Sequence, residues 1–135
     1  MADVLVNALV DLIANFVLGS GTAPALKLHL FVNNVTITDA TVAGDLTECT
    51  AAGYAAVLLP NAGWSGSTTA GIADYTHPDV VFNITAGGGQ TIFGHYITDN
   101  NTGNLLWGQT WGSSFPLPAG ASTVTVTPSW SDHEC

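Results

Sequence analysis

The sequence predicts a mainly β domain, a β-sandwich or jelly roll of about six to eight antiparallel strands with one N-terminal amphipathic helix. Three observations carry that expectation. Apolar residues recur at helical spacing only before Gly19, the pattern changes to alternation after Pro24, and turn signals then follow at short intervals.

In the first segment Leu5, Leu9, Leu12 and Phe16 fall at helical spacing, and Val4, Ala8, Ile13 and Val17 widen the stripe. Asp3, Asn7, Asp11 and Asn15 line the opposite face, with Asp3 suited to the positive end of the helix dipole. Gly19, Ser20 and Gly21 stop the helix, and Pro24 keeps it from resuming. An apolar stripe this wide on a short helix must be buried, against the domain or against another subunit. Leu5, Leu9, Leu12 and Phe16 are therefore the candidate oligomer or partner interface. The run reads as neither a secretory signal nor a membrane span, because no basic residue precedes it and Asn7, Asp11 and Asn15 interrupt it.

From Leu26 to Val32, leucine and valine alternate with Lys27, His29 and Phe31, which is the pattern of a half-buried strand. Asn33-Asn34 turns the chain, Val35 to Thr38 is a short strand, and Thr41 to Cys49 reads as irregular. Tyr54 to Leu59 is a continuous apolar strand ended by Pro60. The residues around Trp64, from Asn61 to Gly71, form a loop or a weak hairpin. Asp79 to Thr85 and Thr91 to Thr98 are strands on either side of a Gly87-Gly88-Gly89 turn. Asp99 to Gly103 is a hairpin loop whose Asn and Gly accept positive φ, and Asn104 to Trp111 is the returning strand. Phe115 to Gly120 is a corner with two prolines, and Ser122 to Trp130 closes the sheet. One unit results: a helix over 1–20, a β domain over 24–130 and a tail over 131–135.

Composition narrows the partners. Of 135 residues 47% are hydrophobic and 8% charged, against about a quarter charged in an ordinary soluble domain. The composition is that of a folded chain, and its surface must be built from Thr, Ser, Asn, Gly and Ala. Such a surface suits packing against neighbours, or survival outside a cell. Lys27 is the sole basic residue and the net charge is −9. Nucleic acids, phosphate ligands and anionic membranes all require Lys or Arg, so charge points to a protein, glycan or cation partner, or to none.

The chemistry-bearing residues form no catalytic or metal constellation by spacing. Cys49 and Cys135 are the only thiols; they either pair or stand as one half-buried cysteine and one terminal thiol, and no Cys-x-x-Cys exists. His29 and His95 lie on strands, where an ordinary half-exposed histidine is expected. His77 with Asp74 and Asp79 resembles a cation site less than a turn before Pro78. Asp45 with Glu48, or Asp74 with Asp79, would serve a glycosidase only across about 5–9.5 Å of cleft, which sequence does not indicate. Ser113 and Ser114 lie in no Gly-x-Ser-x-Gly elbow. Asp99 to Gly103 lacks the closing Glu of a calcium loop. No catalytic residue, metal or cofactor is expected. The tryptophans Trp64, Trp107, Trp111 and Trp130 lie near loops or strand ends. Trp64 and Trp111 are the candidate exposed aromatic contacts of a sugar-binding module, against the alternative of core or interface packing. Three Asn-x-Thr sequences, at Asn34, Asn83 and Asn100, match glycosylation acceptors but reflect common strand and turn residues.

An ordered series of short motifs runs through Leu26 to Asn33, Asp45-Leu46-Thr47-Glu48, Gly53-Tyr54-Ala55-Ala56 and Trp64. It continues through Val80 to Thr85, Gly94-His95-Tyr96-Ile97-Thr98-Asp99, Leu105-Leu106-Trp107 and Val124 to Pro128. The series resembles a family of small virion proteins of tailed bacteriophages. The order and spacing hold over about residues 8 to 130. The chain departs where the family carries Ala-Glu-Arg-Phe after Leu-Leu-Trp: here Gly108-Gln109-Thr110-Trp111 stands, so no contact made by that arginine carries over. The resemblance implies a capsid cement or decoration protein, made in the bacterial cytoplasm and placed on the capsid exterior. It would act as a homo-oligomer, a trimer, bound to the major capsid protein between capsomers. The alternative is a carbohydrate- or receptor-binding module of a tail or fibre.

Overall fold

The computed structural model describes residues 4–9, 13, 18, 24–70 and 72–132. The chain is mainly β. Its strands are β1 (Val4–Leu5), β2 (Leu26–Phe31), β3 (Val57–Leu59), β4 (Ser65–Thr69), β5 (Ile72–Thr76), β6 (Val80–Ile84), β7 (Thr91–Asp99), β8 (Leu105–Pro116), β9 (Ser122–Val126) and β10 (Ser129–Asp132). Five of them form one antiparallel sheet in the order β1-β8-β7-β2-β3. The others pair as β10-β5-β4 and β6-β9.

The two shorter ladders are one ribbon with a slip. Val80 faces Val126 while Thr76 faces Ser129, so four steps along one side meet three along the other. Pro78 and Pro128 lie in that gap, where neither could donate to a ladder. The His77 amide bridges it by donating to the Pro128 carbonyl at 2.9 Å.

Alternation along β2 then decides which side chain goes where. Leu26, Leu28 and Leu30 share a face with Ile97 and His95 of β7, Trp107 of β8 and Leu59 of β3. That face shares one core with Phe82 and Ile84 of β6 and Val124 and Val126 of β9. On the other face Phe31, Tyr96 and Leu105 pack with Val6, Ile37 and Leu46, so residues 32–46 cover it. The central strands are thus buried on both sides. Close cover on the second face requires glycine. A Cβ on Gly94 would strike the Gln109 carbonyl and the Phe31 ring, and one on Gly108 would strike Ile37.

Several boundaries differ from the sequence expectation. Val4 and Leu5, expected in a helix, pair with Gly108 and Trp107 because the outer edge of β8 offers unpaired backbone groups there. Asn7 to Leu9 and Ile13 are helical, Val6 and Leu18 are not, and residues 1–3, 10–12, 14–17 and 19–20 of the predicted helix lie outside the described residues. Residues 35–38 form no strand; they lie across the sheet and bond to it through Thr110, whose hydroxyl donates to the Val35 carbonyl at 2.8 Å. The Gly-Ser-Thr segment after Trp64 is the hairpin β4–β5, and Ser131 and Asp132, assigned to a tail, are the end of β10.

The β4–β5 hairpin turns at Ala70, which holds φ of 53°. That left-handed conformation costs an L-residue about 1–2 kcal/mol, against about 0.5–1 kcal/mol for the extra chain freedom of glycine. Ala70→Gly is therefore expected to raise stability by about 0.5–1 kcal/mol, and Gly94→Ala to lower it by about 1–3 kcal/mol, in urea denaturation.

Candidate functional site

The densest polar cluster sits where β3 stops pairing with β2. β3 covers only Leu26 to Leu28. Beyond it residues 47–49 continue the edge: Val32 donates to the Thr47 carbonyl at 2.8 Å and Cys49 donates to the Leu30 carbonyl at 2.9 Å. Glu48 thereby stands opposite Phe31, on the face that carries His29. His29 Nδ1 donates to Glu48 Oε1 at 2.7 Å. A carboxylate only accepts, so the proton is on Nδ1, and Nε2 accepts from the Thr98 hydroxyl at 2.9 Å. The Tyr54 hydroxyl donates to the same Glu48 oxygen at 2.9 Å and accepts the Leu30 amide at 3.1 Å. The imidazole stacks on Tyr96, its cross-strand neighbour, at 4.6 Å between centroids. Burial, with the Glu48 charge adding to it, pushes both tyrosine hydroxyls well above their ordinary range.

An acid–imidazole–hydroxyl chain has the connectivity that activates a nucleophile. Here the hydroxyl is buried mid-sheet: Thr98 is 6% exposed. What the cluster does is fasten residues 47–54 to an otherwise open strand edge. Asp45, weighed with Glu48 as a carboxylate pair, accepts the Val42 amide at 3.0 Å and closes a short 3₁₀ turn.

The tryptophans turn inward. Trp107 is buried, donates to the Ser129 carbonyl at 3.0 Å, and meets Trp64 and Trp130 edge-on at 6.0 and 5.0 Å. Trp64 and Trp111, the candidates for outward contact, are both half-buried and packed on the core. Trp111 donates to His95 Nδ1 at 2.9 Å. Trp64 stands edge-on to His77. His77 donates from Nδ1 to the Pro78 carbonyl at 3.0 Å, and its other nitrogen abuts Gly63, where a Cβ would collide.

His95 is the residue that sequence reasoning missed. Expected to be half-exposed, it is 4% exposed, and burial pushes its pKa down to about 4. The available signal was its place two residues before Ile97, in step with the core-facing leucines of β2.

The remaining candidates do not converge. Asp74 accepts the Ser131 hydroxyl and Asp79 the Thr127 hydroxyl. Among the described residues no three His, Cys, Asp or Glu side chains come together as a metal site. Asp99 closes the predicted hairpin, its carboxylate accepting the Asn101 amide at 2.9 Å. Ser113 and Ser114 are exposed on β8. Cys49 is buried, its thiol donating to Gln90 at 3.3 Å and pushed up by burial, while Cys135 lies outside the described residues. Of the proposed interface stripe, Leu5 lies in β1, Leu9 is buried in the chain's own core, and Leu12 and Phe16 lie outside the described residues. A surface cleft of about 320 Å³ opens between Asn7, Asp39, Thr41, Gly44 and Asn104.

Among the described residues no helix is long and apolar enough to cross a membrane. No family model, curated protein or solved structure matches the chain.

The Tyr54 hydroxyl joins both sides of the Glu48 cluster, so Tyr54→Phe leaves the Leu30 amide without its acceptor. A loss of about 1–3 kcal/mol is expected in chemical denaturation. A double-mutant cycle with Glu48→Gln should show strong coupling, because the two side chains share one bond.

Proposed function

We propose that this chain is a structural protein of a tailed-bacteriophage virion, a cement or decoration protein bound outside the capsid between capsomers. The observation that carries this reading over a catalytic one is the commitment of the reactive side chains to structural bonds. His29, Glu48, Thr98, Tyr54, His95 and Trp111 bond to one another and hold loops and strands in place. What faces water is largely uncharged: all five residues of β4, a Ser, Gly and Thr strand, are exposed. A surface of that kind engages a partner by shape, apolar contact and backbone pairing, with little electrostatic steering.

The fold we assign is a jelly-roll sandwich, the five-stranded sheet forming one layer and the slipped ribbon with β4 the other. The N-terminal segment supplies an amphipathic helix. Support for subunit contact comes from that segment, where Leu18 is 79% and Ile13 42% exposed. An apolar surface of this kind suits a homotrimer interface. The net charge of −9 offers packaged DNA no attraction, which favours the capsid exterior. Major capsid protein is the proposed partner, and neither cofactor nor metal enters the function.

A sugar-binding module of a tail or fibre is the competing reading. Its carriers were outward tryptophans, and the half-buried positions of Trp64 and Trp111 weaken it.

Capsids lacking the protein should release DNA at lower temperature, and adding purified protein should restore them. Unchanged particle stability, or a virion density map placing the chain at the tail tip, would remove the cement assignment. Light scattering of the free protein should give a trimer; a monomer at micromolar concentration counts against the trimer.

A further inference from the structure

Among the described residues β4 is the last strand of its sheet, in the order β10-β5-β4, and all five of its residues are exposed. A terminal strand carries on its outer side a row of amides and carbonyls that no neighbour in the sheet satisfies. Folded chains usually blunt such an edge by brevity, charge, proline, a bulge or a covering segment. The other edges of this molecule do so. β1 has two residues and β3 three, with Pro60 directly after β3. Beside β6, the Ala52 carbonyl accepts the Thr85 amide at 2.8 Å, and a Cβ on Gly53 would strike the Asn83 carbonyl. The edge formed by β9 and β10 is interrupted at Pro128. β4 uses none of these devices. Ser65-Gly66-Ser67-Thr68-Thr69 carries no charge and no proline, and it pairs with β5 without a register shift.

We infer that β4 is a site of strand addition for a second copy of this chain, the two β4 strands pairing antiparallel about a two-fold axis. The chemistry of the edge selects that occupant. Each copy carries a net charge of −9, so two copies approach closely only where acids are absent. β4 has none, and the acid on the next strand, Asp74, stands opposite Ser67. In the paired form the two Asp74 backbones lie three strand spacings apart, about 14 Å, beyond a Debye length of about 8 Å. A foreign peptide added to a sheet edge is selected by pockets that read its alternate side chains. The short side chains of β4 are exposed on both faces and wall off no such pocket. An identical strand needs none. Full antiparallel overlap sets Ser67 opposite the partner's Ser67, Gly66 opposite the partner's Thr68 and Ser65 opposite the partner's Thr69. Facing hydroxyls can then bond across the strands.

A two-fold contact cannot close a trimer. This surface is therefore separate from the N-terminal interface proposed above, and it does not rest on the virion reading. A five-residue edge buries much less than the roughly 1,200–2,000 Å² of a stable complex, so free copies meet weakly and trapping reads the contact better than size does.

Cysteine cross-linking of the full chain tests this, with Cys135→Ser removing the terminal thiol and Cys49 left buried. Paired antiparallel strands hold facing Cα atoms about 4.5–5.5 Å apart, within disulfide reach. Ser67→Cys, oxidised with diamide, should therefore join two chains about tenfold or more faster than Thr125→Cys, an exposed site on β9. Chains with Ser65→Cys, mixed with chains carrying Thr69→Cys, should join to each other in preference to themselves. Adding Ser65→Asp and Thr69→Asp to Ser67→Cys sets like charges opposite at both ends of the overlap and should slow joining to the Thr125→Cys rate. Equal rates for Ser67→Cys and Thr125→Cys would overturn the proposal. So would self-joining of Ser65→Cys chains as fast as joining to Thr69→Cys, or an unchanged rate in the acidic variant.

Discussion

Burial of the central sheet on both faces is the constraint on which the rest of this molecule depends. β2 and β7 are covered on one side by β6 and β9 and on the other by residues 32–46. Most side chains on these strands therefore enter a core, whichever way they point. Apolar residues meet that demand by packing. Polar ones must find partners inside, because an unpaired buried donor or acceptor costs about 1–3 kcal/mol.

The pairings follow from that demand. Lys27, His29 and Thr98 share a face with Phe31 and Tyr96. Of these, His29 and Thr98 are satisfied through Glu48, brought in by a segment that also completes the strand edge. On the other face His95 meets Trp111, and Trp107 meets the Ser129 carbonyl of the opposing ladder. These bonds tie each covering element to the sheet. The same double cover explains Gly94 and Gly108, where a side chain would keep the cover from closing.

A chain that commits His29, Glu48, His95 and its tryptophans to internal bonds and packing leaves a surface rich in hydroxyls, amides and small apolar groups. That division favours a protein that works by position and contact.

The sequence by itself determined the mainly β class, the alternating strands β2, β6 and β9, the Asp99–Gly103 hairpin and the paucity of phosphate-binding charge. Each rests on short-range physics: side-chain alternation, turn conformations of Asn and Gly, and a count of cations. Tertiary structure alone decided the pairing of Val4 and Leu5 with β8, because an edge created by distant residues overrode their helical spacing. It decided that Leu9 enters the chain's own core and that the tryptophans turn inward. It also brought Glu48 to His29 and Trp111 to His95, 19 and 16 residues apart. Alternation tells which face a residue takes, but not whether that face meets water or a second layer. For a sheet covered on both sides, that second fact sets the chemistry of every polar residue on it.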